Sequence, residues 1–125
     1  MRLHSHIWVS AYIKNVNLHG ASAVLLRRGE ATAGAIYVKV SRLNQTADLY
    51  SPAPLFMIEE QTNKINGSIE IERCWLSEFG KAPQSELEID AFLKNQAEYD
   101  ADIWVIEVED PEGRHFLDEQ LIDIT

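Results

Sequence analysis

Charge is divided unevenly along this chain, and that division limits what it can fold into. Residues 1–64 carry seven Lys or Arg against four Asp or Glu, a net +3. Residues 65–125 carry four against sixteen, a net −12, so the whole stands at −9. Both halves also alternate apolar and polar residues with a period of two, which a solvated tail does not do. The pattern predicts that basic strands from the first half lie beside acidic strands from the second, inside one sheet.

At 125 residues the chain is read as one domain over 1–125. That length buries roughly two-thirds of the unfolded surface, so no disulfide or metal staple is required. A composition of 46% hydrophobic and 25% charged residues excludes wholesale disorder. No apolar run reaches the ~18–20 residues of a membrane span, and Lys14 interrupts the first apolar stretch, unlike a secretory signal. Cys74 is the single cysteine, so no internal disulfide forms and a reducing cytoplasm is the expected compartment. Net negative charge argues against nucleic acid as a partner, because such binding draws its affinity from neutralising phosphates.

Residues 6–19 read as a helix. Val9, Tyr12, Ile13 and Val16 follow helical spacing, Trp8 and Ala11 widen that face, and Ser5 is the expected N-cap. Gly20 suits the position just past its end. Residues 22–28 and 35–42 read as strands, and Gly29–Gly34 suggests that they form an antiparallel hairpin. A third strand is expected over Ala47–Tyr50, halted by Pro52 and Pro54. Leu55–Glu60 and Ser68–Trp75 read as a second hairpin around Asn66-Gly67. Ser85–Tyr99 reads as the best helix, opened by the capping box Ser85-x-x-Glu88. Asp102–Glu109 is apolar on both faces and reads as a central strand, followed by a turn at Asp110-Pro111-Glu112-Gly113 and a short returning strand at Arg114–Leu117. The class expected is α+β: a mostly antiparallel sheet of five to six strands with two main helices packed against it.

Several residue groups invite a chemical reading, and each has a plainer structural one. His4 and His6 would need a third metal ligand from elsewhere, such as His115 with Asp118 or Glu119, but neither HExxH nor paired cysteines accompany them. No metal and no cofactor are therefore expected. Cys74, flanked by Arg73 and Trp75, reads as a small buried side chain. Glu107 and Glu109 are expected beside Lys39 and Arg42 as cross-strand partners, each pair contributing about 0.2–1 kcal/mol. Arg27 and Arg28 precede a glycine turn and point to opposite faces of a strand. With Arg42 or Arg114, one of them would make a fork for a carboxylate or phosphate, with His115 or Glu107 as an acid–base group. The glycine spacing of a phosphate loop is absent. Any of Trp8, Trp75 and Trp104 left exposed would mark a binding surface.

Two stretches resemble a known family. Leu25-Leu26-Arg27-Arg28-Gly29-Glu30 with Gly34-Ala35-Ile36-Tyr37-Val38-Lys39-Val40 is one. The other runs from Asp100 through Trp104-Val105-Ile106-Glu107-Val108-Glu109-Asp110 to Gly113-Arg114-His115-Phe116-Leu117, and Trp8-Val9-Ser10-Ala11 is similar too. Together they resemble a family of small bacterial proteins, chiefly alphaproteobacterial, classed as a domain of unknown function. The resemblance implies a cytoplasmic bacterial protein of this size and carries no activity or catalytic residue with it.

Two functions follow as expectations. The first is a binding or interaction module without catalysis that self-associates, the basic hairpin edge of one copy meeting the acidic strand of another about a two-fold axis. The second is a small enzyme or binding domain for an anionic metabolite, using Arg27, Arg28, Arg42, Arg114 and His115. It requires those side chains to converge on one pocket.

Overall fold

The computed structural model describes residues 3–54 and 73–117. The elements run α1 (Ser5–Leu18), β1 (Ser22–Arg27), β2 (Ile36–Ser41), β3 (Thr46–Pro52), β4 (Trp75–Ser77), β5 (Gln84–Ser85), α2 (Glu86–Tyr99) and β6 (Trp104–Glu109). The strands form one sheet in the order β1-β6-β2-β3-β4, with β5 pairing to β3. All pairings are antiparallel except β2 with β6, which is parallel. The α+β class and the mostly antiparallel sheet with two helices are as the residue pattern predicts.

The position of β6 corrects the expected first hairpin. β1 and β2 do not pair; β6 lies between them, Leu25 facing Ile106 on one side and Val38 facing Ile106 on the other. The glycines between β1 and β2 serve a different purpose from a tight turn. A Cβ on Gly29 would lie 2.1 Å from the carbonyl oxygen of Asp102, and one on Gly34 2.3 Å from the same atom. The connection is thus clamped against the start of β6, where the Glu30 amide donates to Asp102 O at 2.9 Å and Trp104 Nε1 donates to Glu30 O at 2.7 Å.

Alternation of side chains sorts the core into two layers. Ile36, Val38 and Val40 of β2 and Trp104, Ile106 and Val108 of β6 pack under α1, against Trp8, Val9, Tyr12 and Val16. On the opposite face Val105, Leu49 and Ala47 pack under Ile89 and Leu93 of α2. All three tryptophans are buried, so none marks a surface.

The helix ends differ in how far they follow the expected capping. Ser85 caps α2 as predicted, its Oγ accepting from the Glu88 amide at 3.2 Å. His4, not Ser5, holds the N-cap position of α1, and no side chain caps it. The Ser5 and His6 amides donate instead to Thr32 O and Ala31 O, and the buried Ser5 hydroxyl donates to Gly34 O at 2.7 Å. The 110–113 turn forms, with the Gly113 amide donating to Asp110 O at 3.0 Å. Arg114–Leu117 makes no strand. The expected hairpin at 55–75 falls mostly outside the described residues; its last residue, Trp75, opens β4 and pairs with Pro52, whereas Arg73 and Cys74 are not in a strand.

Candidate functional site

Because β2 and β6 are parallel and in register from Ile36↔Trp104 to Ser41↔Glu109, both strands end at the same edge of the sheet. The segments leaving them meet there. The Asp110 amide donates to Ser41 O at 2.9 Å, and Arg42 follows Ser41 into the β2–β3 hairpin. Its guanidinium lies over Gly113, where a Cβ would sit 2.5 Å from Arg42 Cζ. Gly113 also has φ +73°, so backbone and neighbour both favour glycine.

Each arginine here holds an internal acid. Arg42 Nε is 2.9 Å from Asp48 Oδ2, and Asp48 is buried on β3. Asp110, buried at the start of the turn, accepts from the Arg114 amide at 2.8 Å and from its Nε at 2.9 Å. Arg114 holds the Asp110 carboxyl below the usual carboxylate range, and Asp110 raises Arg114 in return. The His115 ring packs 4.9 Å from the ring of Tyr50, and its Nδ1 accepts from the Leu117 amide at 2.9 Å. That bond places any single ring proton on Nε2. Tyr12 Oη donates to His115 O at 2.5 Å. Burial, reinforced by Asp48 and partly offset by Arg42, pushes the Tyr50 hydroxyl up to about 12. Tyr12 is raised as well, chiefly by burial. Both phenols therefore remain protonated near neutrality.

Three of the five predicted ligand residues, Arg42, Arg114 and His115, thus gather at one end. Arg27 and Arg28 do not join them. β1 runs antiparallel to β6, so Arg27 stands opposite Val105 near the strand's start, whereas Arg42 and Arg114 follow its end. Four residues of strand separate these places by about 13 Å. Arg27 donates to Ala101 O at 3.0 Å, and the Arg28 guanidinium lies 5.5 Å from the Trp104 ring centre. A fork joining Arg27 or Arg28 to Arg42 or Arg114 does not form.

Glu107 is separated from His115 for another reason. It lies on the α2 face of the sheet beside Lys39, whereas His115 packs on Tyr50 and the α1 face. Lys39 is the point where the predicted opposition of charge is realised. Its Nζ reaches Glu107 at 2.9 Å, Asp90 at 2.8 Å and Glu86 at 3.1 Å. Burial alone would lower this lysine, but the three carboxylates outweigh it and the pKa is raised. Arg42, expected beside the acidic strand, turns across its own hairpin to Asp48 instead. Among the described residues no three His, Cys, Asp or Glu gather around a metal-sized space.

Asp48, Tyr50 and Gly113 complete this end of the sheet; the sequence marks Tyr50 as a strand end and Gly113 as a turn residue, and gives none of the three as a site residue. The 110–113 turn folds Arg114 back onto Asp110, so their pairing follows from the turn between them.

Residues 3–118 match the family described as "Protein of unknown function (DUF1491)". The chain belongs to the DUF1491 family. Among solved structures, the crystal structure of a DUF1491 family protein from Caulobacter crescentus CB15 is 37% identical, covering 98% of this chain and 100% of that one, with a TM-score of 0.73. An NMR structure of a DUF1491 family protein from the same organism is 38% identical at a TM-score of 0.72, covering 98% and 99%. The solution structure of protein Atu0922 from A. tumefaciens is 28% identical at a TM-score of 0.73, covering 100% and 98%. No curated protein matches the chain. The resemblance drawn from the residues is to this DUF1491 family. No described helix is long and apolar enough to cross a membrane.

Proposed function

We propose that this DUF1491 chain is a cytoplasmic binding or interaction module without catalysis, and that self-association is part of how it works. One observation carries the reading: two of the four arginines expected to take a ligand are held by internal acids, and the buried Lys39 beside the acidic strand is committed likewise. Arg42 is bonded to Asp48, Arg114 to Asp110, and Lys39 to three carboxylates at once. General acid–base work needs a proton carrier presented to a ligand, and groups committed in this way serve the sheet first. Meanwhile large apolar side chains stand in water, including Leu3, Ile7, Leu18, Val24, Leu26 and Leu43. Both edges of acidic β6 are filled within the chain by β1 and β2, so self-association would use another surface than the edge of β6. Light scattering across protein concentration tests the reading: it expects a mass that rises towards a dimer, and a strict monomer at every concentration and salt removes self-association.

A second reading has its own support in the convergence of Arg42, Gly113, Arg114 and His115 at the ends of two parallel strands, the place where open sheets with parallel strands commonly receive ligands. It makes this end a site for a small anion, reduced from the five expected residues to three. Titration calorimetry with inorganic phosphate checks it. Saturable heat that disappears in Arg114→Met supports the site, and no heat at millimolar phosphate ends it.

A further inference from the structure

Two patches of opposite charge adjoin at one corner of the molecule. The first is the end of β1, where Val24, Leu25 and Leu26 stand at 44%, 36% and 53% exposure and Arg27 and Arg28 follow them. The second is the end of α2. There Asn95, Glu98 and Tyr99 line a shallow depression, and Tyr99, at 90% exposure, is the most exposed large apolar side chain among the described residues. Asp100 and Asp102 are exposed just beyond it. The patches touch: Arg27 Nη2 donates to Ala101 O at 3.0 Å, and the Arg28 guanidinium lies over the ring of Trp104, the first residue of β6.

Close as they are, these charges do not neutralise one another. Arg42, Arg114 and Lys39 each hold a carboxylate. Among the described residues neither Arg27 nor Arg28 pairs with one, and Glu98 pairs with no cation. Arg27 Nε is buried with no acceptor. Arginine and tyrosine are the side chains that protein interfaces favour most. Here both are presented to water, beside apolar side chains that the fold leaves uncovered.

We infer that this corner is the surface through which two copies of the chain associate, the arginines of one copy meeting Glu98 and Tyr99 of the other about a two-fold axis. The inference rests on the self-association in the reading above and names its surface. Charge complementarity selects the second copy as occupant. A two-fold axis turns such a patch onto itself, so its basic half faces the partner's acidic half, and the same contact recurs on the other side of the axis. Arg28 of one copy takes the depression of the other, against the Glu98 carboxylate and the Tyr99 ring. Its opposite face already rests on Trp104, 5.5 Å from the ring centre, so the guanidinium ends between two aromatic rings. Leu26 leaves water beside it.

The competing route, extension of the sheet through the backbone of edge strand β1, is obstructed. The Asn17 amide occupies the outward backbone of Ala23, with Ala23 N donating to Asn17 Oδ1 at 2.9 Å and Asn17 Nδ2 donating to Ala23 O at 3.4 Å. The register of β1 then breaks between Leu25 and Arg27, which leaves Leu26 unpaired beside the arginines. Side-chain plugs and bulges of this kind blunt a sheet edge, and the side chains at the corner remain the means of contact.

A contact of a few side chains from each copy buries less than the ~1,200 Å² of a standard interface, so the dimer is weak and reversible, with Kd on the order of tens of micromolar. Sedimentation velocity on the full chain from about 5 µM to about 1 mM, at low and at high salt, tests it. The wild type is expected to move from monomer to dimer, and to do so less at high salt. Arg28→Glu sets a carboxylate against Glu98, and Glu98→Arg sets an arginine against Arg28; each should weaken the dimer at least ~10-fold. The two changes in one chain exchange the charges and should restore most of the loss. Lys14→Glu on α1, an equal change of net charge away from the corner, should change nothing, and circular dichroism confirms that each variant is folded. A dimer indifferent to Arg28→Glu, or not recovered by the exchange, overturns the surface while leaving self-association standing. A monomer at about 1 mM overturns both. Calorimetric binding of inorganic phosphate that is lost in Arg28→Glu, without any dimer, would reassign the arginines to a small anion and overturn the second copy as occupant.

Discussion

Replacing Lys39 with Met removes the cation that holds Glu86, Asp90 and Glu107 together on the α2 side of the sheet. The lysine side chain is 4% exposed, and its three contacts lie between 2.8 and 3.1 Å. Hydrogen bonds to charged partners contribute about 1.5–3 kcal/mol each when sheltered. Asp90 is 53% exposed and counts as a surface pair of less than about 1 kcal/mol. Glu107 and Glu86, at 20% and 29%, each merit the lower end of the sheltered range. The expected loss is about 3 kcal/mol, the lower edge of what removing one partner of a buried pair costs. With a urea slope of about 2 kcal/mol per molar, the unfolding midpoint should fall by about 1.5 M. Glu107→Gln in the same chain should return part of this, because it relieves the repulsion that Lys39→Met exposes. The pH window follows from the raised lysine: its stabilisation is fully present below the ordinary lysine value of about 10.4 and is lost as pH rises through the folded value. The gap between wild type and Lys39→Met should thus hold from neutral pH to about 10 and narrow above it. A midpoint shift under about 0.25 M, or a gap that closes at neutral pH, would refute the reasoning.

Three further outcomes are expected. Gly29→Ala should cost several kcal/mol or abolish folding, because the new methyl has only the Asp102 carbonyl to move into, whereas Gly20→Ala, at φ +88° in open space, should cost only about 1–2 kcal/mol; paired urea melts separate them. Asn17→Ala exposes the outward N–H and C=O of Ala23 and should raise the rate of thioflavin-positive aggregation on mild heating, with no change expected for Asn15→Ala. Glu30 is held below the usual carboxylate range by the Thr32 and Ala33 amides, and Asp110 by Arg114. Their stabilisation is present above the unfolded values and is lost as pH falls through the lowered folded ones, so thermal melts should decline below about pH 4, and less steeply in Glu30→Gln.

Local chemistry was legible where it decided the outcome alone. The Ser85 cap, the helix it opens and the Asp110–Gly113 turn each depend on residues a few positions apart. The pairing of Lys39 with Glu107 was legible too, because excess charge of opposite sign in two halves of one sheet has few other places to go. The order of strands was not. β1 and β2 have alternating side chains and a glycine-bounded link, and that evidence is the same whether they touch or leave room for a third strand. What separates the two cases is the close approach of Gly29 and Gly34 to Asp102 O, a contact between residues some seventy positions apart. The same gap explains the site residues. Arg27 and Arg42 are both at strand ends, but which ends coincide depends on the directions of β1, β2 and β6, and only the parallel pair brings Arg42 to Arg114.

The strand that joins β1 to the rest of the sheet, β6, lies far along the chain from both of its neighbours. Until Trp104–Glu109 has left the ribosome, β1 and β2 have no shared neighbour, and Val24, Leu25 and Val38 wait in a sheet that cannot close. Such non-local pairing slows folding and prolongs the exposure of apolar strand surface during synthesis. Truncated products ending before Trp104 should consequently be sticky intermediates rather than small stable domains, and the cell's holding chaperones and proteases are their natural fate.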